Sequence, residues 1–152
     1  MDDLLLASAT QLARRIRDRE ISSLEAVDAH IAQIERVNPA LNAVVRTRFV
    51  EARAEATRAD ALRAHANAAD LPPLHGVPCT IKECFALTGM PNASGLVARR
   101  GVVATGDATA VARLRAAGAI PLGVTNTSEL CMWMESNNRV YGRTNNPYDT
   151  GR

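Results

Sequence analysis

The sequence has 152 residues, a net charge of +2, 47% hydrophobic residues and 22% charged residues. A chain of this length makes about one domain and buries roughly 68–70% of its unfolded surface, so this composition excludes intrinsic disorder, collagen-like repeats and a disulfide scaffold. The charge is too small and too scattered for a nucleic-acid binder, and aromatic residues, at 3%, offer few platforms for stacking bases.

In chain order, residues 10–18 predict a short amphipathic helix, with Leu12 and Ile16 four apart. Ser22 and Glu25 have the spacing of a capping box for a second helix. Leu24, Val27, Ile31 and Ile34 recur along it at helical spacing, and Asn38-Pro39 is expected to stop it. Residues 43–47 suit a strand. The alanine-rich stretch 51–69, with alternating Arg and acidic residues, predicts a largely solvated helix that Pro72-Pro73 closes off.

From Leu71 the texture changes. Residues 77–81 form a short apolar strand candidate ending at Lys82-Glu83, and 88–101 read as a loop punctuated by Gly89, Pro91, Gly95 and Gly101. Asp107 or Thr105 is expected to cap a helix that carries Val111 and Leu114 and stops at Gly118. A buried strand over 119–124 follows. Helix, glycine and strand in this order make half of a βαβ unit, which predicts an α/β fold with a parallel or mixed sheet. Residues 128–134 predict a short helix and 137–152 an extended loop.

Cys79, Cys84 and Cys131 have no C-x-x-C spacing, and His30, His65 and His75 are scattered, so no zinc pattern appears. The thiols read as reduced packing residues. The run Leu4-Leu5-Leu6-Ala7 is too short for a signal peptide, and no stretch approaches the roughly 20 apolar residues of a membrane span. A cytoplasmic location without an integral membrane segment is the expectation.

Lys82 is the only lysine among 18 basic residues; the rest are arginine. Coding bias explains most of that excess, and the one surviving lysine is either a chance remnant or marks a place where guanidinium would not serve. Lysine can give up its proton when withdrawn from water, and arginine cannot. At the end of an apolar strand Lys82 has two readings. It is a partly desolvated general base or Schiff-base amine, or a strand-end side chain that reaches solvent or pairs with Glu83. Met132 and Trp133, with Cys131, read as plain core. His75 reads as a backbone-bonding loop residue.

The segment Leu74-His75-Gly76-Val77-Pro78-Cys79-Thr80-Ile81-Lys82-Glu83 resembles the lysine motif of the amidase signature family. The resemblance continues through Thr88-Gly89-Met90-Pro91-Asn92-Ala93-Ser94-Gly95, Asp107-Ala108-Thr109 and the stretch from Ala117 to Asn126. Glu135-Ser136-Asn137-Asn138 and Tyr141-Gly142-Arg143-Thr144-Asn145-Asn146-Pro147-Tyr148-Asp149 complete it. Phe85-Ala86-Leu87 and Glu129-Leu130-Cys131-Met132-Trp133 look most like the fatty acid amide hydrolase branch.

The resemblance implies a mixed, twisted sheet between helical layers, no cofactor and no metal. It implies a serine hydrolase in which a lysine, a bridging serine and a nucleophilic serine pass protons, acting on a small-molecule amide. Lys82 stands in the lysine's place, and Cys131, Met132 and Trp133 stand where the fatty-acid branch builds its acyl channel. The glycine- and serine-rich motif with the two serines should follow Asp149 and is not in the sequence. None of Ser8, Ser22, Ser23, Ser94, Ser128 or Ser136 takes that place.

Residues 1–152 are therefore expected to be the N-terminal portion of one amidase domain, with 1–70 a mainly helical lead-in and 71–152 the start of the α/β core. Alone, such a piece should be inert and prone to aggregate. A homodimer is one assembly open to the full-length form. The alternatives are an inert truncated product, a non-catalytic assembly module, or the A subunit of a tRNA-dependent amidotransferase.

Overall fold

Serine and glutamine at the right spacing start the first long helical stretch. The computed structural model describes residues 2–151; Met1 and Arg152 lie outside the described residues. After α1 (Asp2–Leu6), Ser8 caps α2 (Ala9–Arg17). Its hydroxyl accepts the Gln11 N–H at 3.2 Å, and the Gln11 side chain accepts the Ser8 N–H at 2.7 Å. This reciprocal box satisfies two donors that a helix start leaves orphaned. Leu12, Ala13 and Ile16 then fall on one buried face.

The chain divides into two compact units, each gathered from separate stretches. One comprises the residues up to Gln33 with Arg48–Cys79 and Arg113–Leu122; the other comprises Ile34–Thr47, Thr80–Ala112 and the residues from Gly123 onward.

In the first unit, the start of α3 (Ser23–Leu41) has the expected box. Ser22 Oγ accepts the Glu25 N–H at 3.0 Å, and the Glu25 carboxylate accepts the Ser22 N–H at 2.7 Å. Those bonds from Ser22 hold the Glu25 carboxyl below its usual range. Asp60 on α4 (Phe49–His65) accepts two further N–H groups, from Ser23 at 2.7 Å and Leu24 at 3.0 Å.

Along α4 most side chains face water, as the alternating charges predict, while Ala52 and Ala56, one turn apart, are fully buried. Leu12, Ala13 and Val77 form a core cluster, flanked by Leu4, Ala7, Ile21 and Leu74. Arg48 and Glu55 pair at 2.7 Å, with Arg115 at 3.3 Å from the same carboxylate.

β1 (Val44–Thr47) runs antiparallel to β3 (Ile120–Thr125), with Val44 opposite Thr125 and Thr47 opposite Gly123. β3 lies between β1 and β2 (Pro78–Lys82) in the three-stranded sheet. The Ile120 N–H donates to the Val77 carbonyl, and the Glu83 N–H to the Thr125 carbonyl. Numbers rising together on both strands make the β2–β3 pair parallel, so the sheet is mixed, as expected. The helix before β3 is α5 (Thr109–Ala116).

Three local expectations are corrected. Pro39 does not stop α3: it removes a single i→i−4 bond, and the helix runs only two residues further, to Leu41. Asn42, at φ +53°, ends the helix instead, and Asn38 Oδ1 caps the exit by accepting the N–H groups of Ala43 and Val44 at 2.9 and 2.7 Å.

Residues 128–134 do not form an α-helix. Only the 3-10 turn Glu129–Cys131 appears, because Leu130 and Cys131 take left-handed φ values of +53° and +59°, which a right-handed helix cannot continue. Third, the C-terminal stretch is not all loop: β4 (Asn137–Asn138) and β5 (Gly142–Arg143) pair antiparallel.

Candidate functional site

Alternation along β2 decides which way the lone lysine points. Ile81 is buried while its neighbours Thr80 and Lys82 are exposed. Side chains on a strand alternate faces, so Lys82 shares the open face with Thr80, and Glu83 shares the inward face with Ile81. Of the two local readings of Lys82, the structure shows the strand-end side chain that reaches solvent.

The Lys82–Glu83 pairing is not met. Lys82 enters no ion pair among the described residues. The Glu83 carboxylate is turned inward and fully buried. It accepts the N–H groups of Ala93 at 2.6 Å and Ser94 at 2.7 Å, and the Tyr141 hydroxyl at 2.6 Å.

Cys84 connects Lys82 to the 129–133 segment. Burial, followed by a hydrogen bond with Cys131, pushes the Cys84 thiol up to about 11, with the nearby Lys82 ammonium pulling the other way. Lys82 and Cys131 thus border the same thiol. Cys131 also lies 3.2 Å from the Thr127 hydroxyl. The turn carrying it is pinned by Ser128, whose Oγ donates to the Trp133 carbonyl at 2.9 Å and accepts the Trp133 N–H at 3.2 Å.

Met132 and Trp133 are 79% and 70% exposed, which overturns their reading as core. Left-handed backbone at Leu130 and Cys131 breaks the helix expected over 128–134.

The other weighed residues are structural. The His75 ring, buried, bonds through Nε2 to the Ala59 carbonyl at 3.0 Å. Asp107 accepts the Thr88 N–H at 2.8 Å and its hydroxyl at 2.7 Å. Burial pushes the Cys79 thiol up to about 11; Arg48 opposes this and Glu55 adds to it. Among the described residues no group of three or more His, Cys, Asp or Glu could hold a metal ion, and no helix is long and apolar enough to cross a membrane.

Sequence reasoning missed the buried polar layer that holds Tyr141, the partner of Glu83. Asn138 donates to Asn126 Oδ1 at 2.8 Å and to the Thr127 carbonyl at 2.7 Å, and its Oδ1 accepts the Tyr141 N–H at 2.8 Å. Asn126 Nδ2 reaches Gly142 and Thr144 at 3.0 Å. Gly95 carries φ +69° against this layer, where a Cβ would stand 2.8 Å from Asn138 Cβ. Strict alternation from Ile81 was the available signal for Glu83; nothing local marked its partner Tyr141.

Comparison with known proteins places this geometry in context. Residues 25–152 match the family model described as Amidase. The chain is 55% identical to fatty-acid amide hydrolase 2-A of Danio rerio, an alignment covering 98% of this chain and 29% of that protein. It is 40% identical to the A subunit of glutamyl-tRNA(Gln) amidotransferase from Nocardia farcinica, covering 100% of this chain and 31% of that one. The solved structure of 6-aminohexanoate cyclic dimer hydrolase matches with a TM-score of 0.83 at 35% identity, over 96% of this chain and 29% of that chain. The chain therefore spans under a third of the length of these relatives.

Proposed function

The chain belongs to the amidase family, and from that premise we propose that it is the N-terminal portion of an enzyme that hydrolyses carboxylic or fatty-acid amides, with Lys82 as the general base. The observation that supports this most directly is the placement of the only lysine. Lys82 ends β2 with its side chain on the open face, one residue before the buried Glu83 carboxylate.

The proposed chemistry follows from what an amine can do there. In its neutral form, Lys82 takes a proton from a bridging serine, which takes one from the nucleophilic serine. The nucleophile attacks the amide carbonyl, the proton returns along the relay to the leaving nitrogen, and water releases the acyl group. Backbone N–H donors of a glycine-rich loop hold the oxyanion. Both serines and that loop are proposed to lie in the rest of the enzyme, since this chain spans under a third of its relatives' length, and the chain alone is proposed to be inert. Cys131, Met132 and Trp133 are proposed to face the acyl group, consistent with their exposure.

The amidotransferase relative gives a second reading, as a subunit that works only with partners. The identity of 55% to a fatty-acid amide hydrolase favours the hydrolase.

The test is the intact mass of the protein from its native source, before and after a serine-directed fluorophosphonate. A mass well above 16.3 kDa with one added label, lost in Lys82→Ala, is the expected result. A mass near 16.3 kDa with no label would remove the hydrolase from consideration.

A further inference from the structure

The carboxylate of Glu83 is fully buried one residue after Lys82. Removing a carboxylate from water is costly unless hydrogen bonds replace the lost hydration, so a native protein keeps one there only with its oxygens satisfied. Here Oε1 accepts the Ala93 N–H at 2.6 Å and the Tyr141 hydroxyl at 2.6 Å, and Oε2 accepts the Ser94 N–H at 2.7 Å. The backbone of Glu83 is held too. Its N–H donates to the Thr125 carbonyl at 2.9 Å, and its carbonyl accepts Asn92 Nδ2 at 2.9 Å. Tyr141 is itself fixed, since its N–H donates to Asn138 Oδ1 at 2.8 Å and its carbonyl accepts Asn42 Nδ2 at 2.8 Å.

We propose that Glu83 is a positioning residue for Lys82, locked by the Tyr141 hydroxyl, so that the inward carboxylate fixes where the outward amine begins. This rests on the reading of Lys82 as the base of an amidase. Consecutive strand residues face opposite sides, and a slip of one residue would exchange them. Tying Glu83 at both backbone atoms and both carboxylate oxygens therefore fixes the register and strand plane at Lys82. An outward lysine has no ion pair to orient it, and a catalytic base must be held within about half an ångström of its working geometry. The inward anchor supplies that constraint without touching the amine. Burial and the bond to Glu83 hold the Tyr141 phenol well above its ordinary value, which keeps it a donor.

The experiment uses the native-length protein and an acyl p-nitroanilide, with sites counted by fluorophosphonate titration and kcat expressed per titrated site. Tyr141→Phe removes one hydroxyl and keeps the ring, and Glu83→Gln places an amide against the Ala93 and Ser94 donors. Tyr141→Phe removes one charge-assisted bond and is expected to lose about tenfold in kcat per site with KM within about twofold of the parent, and Glu83→Gln, which takes the charge from all three bonds, is expected to lose at least as much. A merely structural role would lower the number of titratable sites and leave kcat per site unchanged, and that result in Tyr141→Phe overturns the proposal. A wild-type protein that neither turns over nor labels would overturn the amidase reading itself, and the inference with it.

Discussion

Gly118 comes so close to His75 that a Cβ on it would stand 2.7 Å from the His75 Cα and 2.9 Å from its N. Real Cβ atoms do not make such contacts with backbone, which cannot swing aside as a side chain can. The glycine also takes φ +92°, in the region closed to most side chains. It ends α5, and its carbonyl accepts the Gly76 N–H at 3.0 Å. Gly118→Ala is expected to destabilise the protein by about 2 kcal/mol or more. Denaturant unfolding followed by circular dichroism checks this, and an unchanged midpoint would mean that the contact relaxes freely.

Asp60 caps a helix to which it does not belong. Its two carboxylate oxygens take the N–H groups of Ser23 and Leu24, while Ser22 takes that of Glu25. Three consecutive donors at the start of α3 are thereby satisfied by two side chains. Asp60→Ala leaves two of them without a protein partner, and the expected loss is about 1–3 kcal/mol, more than an ordinary surface substitution. Ser22→Ala removes only the local half of the cap, with an expected loss of about 1 kcal/mol. Equal effects of the two, measured as denaturation midpoints, would argue against the tertiary cap.

The contrast between Ser22 and Asp60 marks what a sequence makes legible. Ser22 and Glu25 stand at the spacing a capping box requires, and Leu12 with Ile16 stands at helical spacing, so both elements could be read locally. The exposed face of Lys82 also follows from period-two alternation with Ile81. Asp60 lies 37 residues from Ser23, and Tyr141 lies 58 from Glu83, so only the fold reveals those bonds. The turn at 129–131 failed as a helix for a comparable reason. Leu130 and Cys131 have ordinary helical propensities, and the left-handed backbone is held by tertiary bonds such as that from the Leu130 N–H to the Ser94 carbonyl at 2.8 Å.

Glu55 makes stability depend on acid. Burial alone would push its carboxyl up, but the hydrogen bond and charge of Arg48, helped by Arg115 and Arg58, outweigh that and hold it below the usual carboxylate value. A group whose pKa is depressed on folding contributes stability above its unfolded value and loses it as pH falls through the folded one. Unfolding experiments across pH 3–7 are expected to show a loss below about pH 4.5 that shrinks in Glu55→Gln. At neutral pH the same variant should cost about 1–3 kcal/mol, because the partly buried Arg48 guanidinium, 10% exposed, loses a charged partner. A full acid-dependent loss in Glu55→Gln would assign it to other carboxylates.

The three cysteines should separate by reactivity. Cys131 is exposed, whereas Cys79 and Cys84 are only partly accessible. Burial pushes both of the latter up to about 11, with Arg48 opposing at Cys79 and Lys82 opposing at Cys84. At pH 8 a thiol titrating there is thiolate in about one molecule per thousand, and the thiolate is the species that alkylates. Iodoacetamide at pH 8, followed by peptide mass mapping, should label Cys131 at least about tenfold faster than Cys79 or Cys84. Raising the pH to 10 should speed both Cys79 and Cys84, as each thiol approaches its titration near 11. If Cys79 instead kept pace with Cys131 under native conditions, the 77–81 stretch would be opening far more often than its place in the sheet allows.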